Sequence, residues 1–293
     1  DKYYLSGSFR YDGSSRFGSD NKWGWFPSIS FAWRIKEENF MKNTDWLSDL
    51  KLRASYGVTG NSNIGDYVAS RLYEGGYAYN GIAGIVSTSI GNQKLSWEKK
   101  HSKNIGVTAG FLKDRINIDL DVYRDDTKDL LYYRTIPQTT GYSQIPSNMG
   151  GVKNVGLDIQ INTVNFEKDD FRWQTSLNLS FCKNSITKLQ DGLDQIGNYK
   201  VGKPVTAEYV YKWAGVNASD GRPMYYDKDG YITYNPTLAD RYWTKGADPT
   251  FFGGFENTVS WKNFTLTFLF VFPIHLTYKI SAIRSRKIQR MLH

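Results

Sequence analysis

Cysteine is nearly absent from this 293-residue chain, which contains only Cys182. A single thiol cannot form an intramolecular disulfide framework, and no second cysteine supports a reactive role. Histidine is almost as rare. The three histidines, His101, His275 and His293, are too scattered to predict a metal site or a catalytic triad.

Long hydrophobic runs are also missing. The longest nearly apolar stretch is Phe264–Ile274, which contains two threonines, and the mean hydropathy of the chain is −0.52. A spanning helix needs about 20 apolar residues. Because only helices and closed barrels satisfy their backbone in lipid, a membrane protein with this sequence has to be a β-barrel.

The basic charge is unevenly distributed. The formal net charge is +8, but residues 273–293 contain five basic residues and no acidic one. Subtracting these 5 from the 37 basic residues leaves 32 against 29 acidic residues, a net charge of +3. Most of the excess of basic over acidic residues therefore lies in the tail, and the net charge does not predict nucleic-acid binding.

Aromatic residues and glycine are abundant, with 21 Tyr, 16 Phe, 9 Trp and 27 Gly. Outer-membrane barrels use aromatics as girdles at both interfaces and glycine in turns and tight strand contacts. A period of two also dominates the sequence, so each segment has one apolar and one polar face. Nine such segments lie near residues 2–11, 24–35, 49–58, 99–112, 114–124, 152–166, 170–184, 251–262 and 264–272.

Most of these segments reach the roughly 9–11 residues that a tilted strand needs to cross a bilayer. Short connections, such as Lys113–Asp114 and Lys262–Asn263, alternate with long ones at 12–23, 59–98, 125–151 and 185–250. A helical turn is expected in the longer short-side turn, at Glu37–Met41. The pattern predicts an all-β fold, a partial antiparallel transmembrane β-barrel with short periplasmic turns and long extracellular loops.

Several motifs follow one another in a fixed order. They are Asp12–Gly18 with Trp23–Ser28, Trp46–Asn61, Thr127–Leu131, Thr140–Tyr142, Asn148 and Gly150, and Asn154–Asp158. Each motif alone is weak. Together, from about residue 1 to about residue 272, their order and spacing resemble the SusC/RagA family of TonB-dependent transporters.

The resemblance implies a bacterial outer-membrane importer with a plug inside a 22-stranded barrel. It also implies uptake of oligosaccharides or peptides, a SusD-like surface lipoprotein as partner, and energy supplied by the TonB complex. No plug, TonB box or signal peptide is found in the sequence, so a fragment is expected. Neither cofactor nor enzymatic activity is implied.

The end of the sequence departs from this pattern. Residues 1–272 are expected to form the partial barrel, whereas residues 273–293 form a divergent basic tail that we attribute to truncation or a shifted reading frame. The alternative is a basic helix lying on the membrane, with Ile280, Ile283 and Lys287 at roughly helical spacing.

Ligand-binding candidates are the aromatics of the long loops, which could stack on sugar rings or peptide side chains. Self-packing of the large loops is an equally weighted alternative. The candidates are Tyr73, Tyr77, Tyr79, Tyr132, Tyr133, Tyr142, Tyr225, Tyr226 and Trp243. Asp227 and Asp229 resemble the start of a calcium loop, but no later glutamate follows, which favours an Asp-Gly hairpin turn.

Two further function classes stay open. The first is a non-transport outer-membrane barrel, such as an adhesin or a barrel lipase, and a barrel enzyme would need a serine and a histidine beside one strand end. Ser102 and His101 are adjacent in sequence, and adjacent strand residues point to opposite faces. A soluble β-sandwich or lectin predicts shorter strands and no strict alternation of loop lengths.

Overall fold

The computed structural model describes residues 1–274, and the predicted basic tail from residue 275 onward lies outside the described residues. Within this range the fold is almost entirely strands. The strands are β1 (Tyr3–Gly13), β2 (Trp23–Arg34), β3 (Leu47–Asn61), β4 (Leu72–Tyr79), β5 (Ile82–Ser89), β6 (Glu98–Phe111), β7 (Ile116–Lys128), β8 (Leu131–Thr135), β9 (Gln144–Asn148), β10 (Gly151–Lys168), β11 (Phe171–Lys188), β12 (Gln195–Ile196), β13 (Tyr199–Lys200), β14 (Tyr209–Val216), β15 (Pro223–Tyr226), β16 (Ile232–Thr233), β17 (Arg241–Trp243), β18 (Phe251–Trp261) and β19 (Phe264–Ile274). Short 3-10 helices lie at Ser19–Asn21, Ile35–Glu37, Asn39–Met41, Gln138–Thr140, Gln190–Gly192 and Leu238–Asp240.

Nine strands form one antiparallel sheet in the order β1-β2-β3-β6-β7-β10-β11-β18-β19. Each of the nine predicted segments corresponds to one of these strands, so the predicted fold class is confirmed. Several strands run further than the apolar alternation does. β10 and β11 have 18 residues each, because backbone pairing continues through their polar outer ends. β19 likewise continues past Phe272 to Ile274.

The turns on the short side are tight. Residues 169–170 and 262–263 join their strands as two-residue hairpins, and Asp169 and Lys262 have positive φ values of 49° and 48°. Left-handed turns of this kind match the twist of the paired strands. The third short connection, residues 112–115, places Leu112, Lys113 and Asp114 in the same region of φ.

The longer periplasmic turn, residues 35–46, contains two 3-10 helices where the sequence predicts a helical turn. Glu38 anchors it to the sheet. Its carboxylate accepts hydrogen bonds from Tyr3 Oη at 2.5 Å, Lys2 Nζ at 2.9 Å and Trp33 Nε1 at 3.1 Å. These bonds, led by that from Tyr3, lower the pKa of Glu38 to about 2.

The strand register brings the apolar side chains onto one face of the sheet and the polar side chains onto the other. In a transmembrane β-barrel the apolar face is the one expected to contact lipid, and we call it the outward face and the polar one the inward face. Aromatic pairs mark both ends of the outward face, as expected of membrane-interface girdles. At the periplasmic end they are Tyr3–Trp33, Trp46–Phe111 and Phe166–Phe171, and at the outer end Tyr11–Trp23, Phe9–Trp25 and Phe181–Phe251.

The simple alternation has exceptions on both faces. On the outward face, Asn257 is buried and accepts hydrogen bonds from Trp173 Nε1 at 2.9 Å and Thr175 Oγ1 at 2.8 Å. On the inward face of β19, Leu269 and Val271 stand where polar residues are expected. The first exception is tolerated because the amide oxygen is hydrogen-bonded.

The long loops carry strands of their own, which the period-two pattern misses. β4 pairs with β5, β8 with β9 and β12 with β13, and the last loop holds a four-stranded sheet in the order β16-β15-β14-β17. Register shifts interrupt the β4–β5 pairing between Glu74 and Tyr77, so no alternation survives in the sequence there. Within the described residues, no helix is long and apolar enough to span a bilayer.

Candidate functional site

The inward face of the sheet is a continuous polar surface. Hydrogen bonds join side chains on neighbouring strands along it, each between residues that the register places side by side. They are Ser8–Ser28, Thr108–Asp119, Ser180–Asp158, Ser176–Asn162 and Asn184–Asn154. Paired polar side chains hold this surface in a fixed arrangement and keep it wettable, as the interior of an outer-membrane barrel commonly is.

An ion pair crosses three strands at the middle of this surface. Arg53 on β3 reaches over β6 to Asp121 on β7, with 2.9 Å between Nη2 and Oδ2, and lies 3.5 Å from Asp119. Gly106 is the residue of β6 beneath the pair. A Cβ atom at Gly106 would collide with the Asp121 carboxylate and approach Arg53 Nη2 to 3.0 Å. Glycine is needed here because the ion pair occupies the space of its side chain.

A small hydrophobic core lies at the outer rim, above the sheet. This rim cluster is composed of Phe17, Phe26, Val58, Ile64, Leu95 and Trp97. Leu95 is fully buried, and Trp97 packs against Phe17 and Phe26 at centroid distances of 5.3 and 5.2 Å. Trp97 Nε1 also donates to the Lys22 carbonyl at 3.1 Å. The cluster therefore fastens the first two extracellular loops to each other.

Asn148 fastens the third loop to the second. Its Oδ1 accepts the backbone N–H of Ser96 at 2.6 Å. Its Nδ2 donates to the carbonyls of Ser96 at 2.7 Å and Asp129 at 2.9 Å. One amide thus satisfies backbone groups of two loops, and it makes a rigid base for the clefts beside it.

Two clefts adjoin each other at this base. The first, about 600 Å³, is polar and includes Lys94, Lys128, Asp129, Arg134 and Asp191. The second, about 390 Å³, is mainly apolar. Its lining includes Leu130, Leu131, Met149, Val152, Ile186 and Val205.

The apolar cleft opens on the inner side of the sheet. Thr127 and Val152, which line it, are paired with each other, and Thr127 is also paired with Lys100. Lys100 in turn bonds the inward-facing Asp125 at 2.9 Å. A molecule in the apolar cleft would therefore sit directly above the polar inward face.

The structure divides the predicted loop aromatics into two groups. Tyr73, Tyr77 and Tyr79 on β4 are exposed, and Tyr132 lines the apolar cleft. Tyr133 and Tyr142 line a third cleft of about 480 Å³. Those of the last loop are packed: Trp243 stacks on Tyr209, Tyr225 contacts Tyr211 and Trp213, and Tyr226 lies under Lys212. A ligand-binding role for these aromatics stays a prediction.

Asp227 closes a turn. Its Oδ1 accepts the backbone N–H groups of Asp229 at 2.9 Å and Tyr231 at 2.8 Å, and Gly230 has a φ of +90°. Asp240 caps the same turn through the N–H of Lys228, and hydrogen bonds, chiefly from Thr237, lower the pKa of Asp240. Among residues 1–274, no group of three or more His, Cys, Asp or Glu side chains is arranged to hold a metal ion.

Ser102 and His101 do not form a catalytic pair. Ser102 is paired with the inward-facing Gly57, whereas His101 is paired with Val58 and its Nδ1 lies 2.9 Å from the hydroxyl of Tyr56. The two side chains lie on opposite faces of β6, as alternation requires.

The family model described as TonB dependent receptor-like, beta-barrel, matches residues 1–271. The chain belongs to this family. TonB-dependent receptors of this kind are outer-membrane proteins, which confirms the predicted localisation and the predicted relationship.

Similarity to individual proteins supports the same family assignment. The chain is 42% identical over 219 residues to the TonB-dependent receptor P39 of Formosa agariphila, which covers 73% of this chain and 21% of that protein. It is 35% identical to the TonB-dependent receptor SusC of Bacteroides thetaiotaomicron over 91% of this chain and 29% of that protein. The RagAB peptide importer in an open-open state superposes with a TM-score of 0.84 and 31% identity, over 93% of this chain and 31% of its own. The chain thus spans about a fifth to a third of the length of these relatives.

In this TonB-dependent receptor, the residues of the sequence motifs contribute to the packing of the rim cluster more than to the nine-stranded sheet. Phe17 and Phe26 belong to the rim cluster, and a Cβ at Gly24 or Gly60 would collide with the ring of Phe26. Sequence reasoning missed Leu95 and Trp97, which complete the cluster. Their only signal was an apolar Leu-Ser-Trp segment just before a strand, and nothing in it indicates Phe17 as a partner.

Proposed function

We propose that this chain forms part of the wall and the outer loops of an importer that moves oligosaccharides or peptides across the outer membrane. The observation that carries the proposal is the apolar cleft that opens above a continuous, hydrogen-bonded polar face. A solute captured at the rim would meet a wettable path on the inner side of the sheet. Family membership supports transport and provides no support for catalysis.

The cleft lining favours peptides over oligosaccharides. Leu130, Leu131, Met149, Ile186 and Val205 offer methyl and methylene surface, which suits apolar peptide side chains. Sugar sites rely on aromatic faces and many hydrogen-bonding groups, and this lining has only two aromatic side chains, Tyr132 and Tyr199, beside its larger aliphatic surface. RagAB, a structural neighbour, is itself described as a peptide importer. Energy from a TonB complex and help from a SusD-like surface lipoprotein belong to the proposal.

The experiment measures the uptake of peptides and oligosaccharides by cells that express the receptor as the cell makes it. A receptor-deleted strain is complemented with the wild type, with Val205→Asp, or with Val216→Asp. Val205 lines the cleft and is 39% exposed, whereas Val216 lies on β14, lines neither of the two adjoining clefts and is 55% exposed. Fluorescent pools of apolar peptides and of oligosaccharides are each offered with and without a protonophore.

We expect peptide uptake to require the receptor and the proton gradient, and to fall at least tenfold in Val205→Asp, since an apolar ligand that enters the cleft would strip water from a carboxylate in its lining. Val216→Asp should match the wild type. Uptake of oligosaccharides alone would exclude peptides, and a receptor needed for neither pool would refute the transport proposal.

A further inference from the structure

The outward face changes character at the outer ends of β6, β7, β10 and β11. The last apolar row across these four strands is Ile105, Val122, Leu157 and Phe181, each paired with the next. The row directly above it, in the same register, is Lys103, Arg124, Val155 and Lys183. Two residues along a strand advance by about 7 Å. If the last apolar row marks the edge of the hydrocarbon, the second row lies just outside it.

Further cations lie above that row on the same face. The register places Lys153 beside Asp126 and Lys128 beside Lys99. We call the six cations of this surface the basic band: Lys99, Lys103, Arg124, Lys128, Lys153 and Lys183. The only carboxylate on it, Asp126, is bound by Arg124 through two hydrogen bonds of 2.8 and 3.0 Å.

The five lysines of the basic band make no ion pair with any residue in the described range 1–274. The inward face differs at the same height, where Lys100 pairs with Asp125 at 2.9 Å. For strand ends that only extended into water, we would expect no such difference in unpaired charge between the two faces of the sheet. Along the strands themselves, these unpaired lysines lie on the outward face, and one of them, Lys128, also borders the polar cleft.

Aromatic residues bound the band and fix its height. Tyr56 on β3 is paired with Lys103, and the Phe181–Phe251 contact lies beside and below Lys183. Interfacial aromatics lie at the level of the lipid headgroups. The cations therefore face the headgroup layer, with their methylene stems along the apolar row and their charged ends directed outward.

We propose that the basic band binds phosphate groups of anionic lipids in the outer leaflet. Lysine and arginine form short, charge-assisted hydrogen bonds with phosphate oxygens, and lysines near an anionic membrane surface attract it cumulatively. The band crosses four strands, about 14 Å at the usual strand spacing, so it is wide enough for more than one headgroup. The inference goes beyond import and concerns how the wall is seated in its membrane.

The test uses the receptor as the cell makes it, purified in detergent and delipidated. Native mass spectrometry measures lipid adducts after addition of phosphatidic acid, of phosphatidylcholine, or of phosphatidic acid with excess inorganic phosphate. The variant carries Lys103→Gln, Lys153→Gln and Lys183→Gln. The control carries Lys212→Gln, Lys228→Gln and Lys245→Gln, which remove the same charge from exposed positions of the last extracellular loop.

We expect the band variant to lose phosphatidic acid affinity by roughly 100-fold, since each lysine near an anionic surface contributes roughly fivefold. The loop control and a variant with arginine at the three band positions should bind as the wild type does. Phosphatidylcholine should bind all of them equally weakly. Heat-modifiability on gels checks that each variant is folded.

Three results would overturn the proposal. The first is equal phosphatidic acid binding by the band variant and the loop control, provided both are folded. The second is displacement of the lipid by millimolar inorganic phosphate, which would indicate a site for a soluble anion. The third is loss of binding in the arginine variant, which would show that the effect is not one of charge.

Discussion

Removing Leu95 from the rim cluster should release the second extracellular loop without unfolding the sheet. Leu95 is fully buried beside Phe17 and Trp97, and its backbone N–H donates to Asn92 at 3.1 Å. Truncation of a buried leucine to alanine costs about 2–5 kcal/mol, because contacts are lost and a cavity remains. The strands of the sheet keep all their pairings, so the cost falls on the loop that contains residues 62–97.

A local cost of about 3 kcal/mol raises the population of the opened loop roughly 100-fold. Trypsin applied to intact cells reports this population, because Arg71 and Lys94 are exposed cleavage sites within the loop. We expect Leu95→Ala to be cut at these positions much faster than the wild type. Leu238→Ala is the matched control, because Leu238 is 70% exposed in the last loop and should change stability by less than about 0.5 kcal/mol.

The reasoning fails if Leu95→Ala and Leu238→Ala are cleaved after Arg71 and Lys94 at the same rate. It also fails if Leu95→Ala removes the receptor from the outer membrane altogether, since that outcome would make the rim cluster part of the folding core of the sheet.

Three further predictions concern the sheet. Arg53→Met leaves the carboxylates of Asp119 and Asp121 without a neutralising partner on the inward face. We expect uptake to fall while the abundance of the receptor on blots stays at the wild-type level, and a loss of abundance would contradict this. The pKa of Glu38 is lowered from 4.5 to about 2, so its stabilising effect is complete above pH 4.5 and is lost as the pH falls towards 2. Urea unfolding across that range should show a loss of stability in the wild type that Glu38→Gln lacks, and the same pH dependence of stability in both proteins would count against this. Residues 1–274 expressed alone should aggregate, since β1 and β19 each leave an edge of the sheet unpaired, and recovery of a heat-resistant monomer from the outer membrane would disprove this.

Alternation and turn length, which are properties of neighbouring residues, determined the sheet. Strand residues two apart share a face, so the apolar positions in each of the nine segments specify the face that lies against lipid. Two-residue turns such as Lys262–Asn263 leave adjacent strands only antiparallel pairing. Nearly every strand of the sheet, its position in the order and its outward side chains follow from these local rules.

The loop strands did not follow from them. β4 contains a register shift and two adjacent glycines, so it has no period of two, although it pairs with β5 along most of its length. Pairing in these hairpins is selected by the loop as a whole. For the same reason the choice between exposed and self-packed aromatics, such as Tyr79 and Trp243, could not be made from the sequence.

The rim and its clefts were decided by tertiary structure alone. Leu95 meets Phe17, and Asn148 meets Ser96, only because the sheet brings the outer ends of distant strands together. Burial and hydrogen bonding at that distance leave no periodic trace in the sequence, since each partner is a single residue in an irregular segment. The sequence determined the sheet because alternation and turn length act between neighbouring residues. The tertiary structure decided the site because the contacts of the site join residues that lie far apart in the sequence.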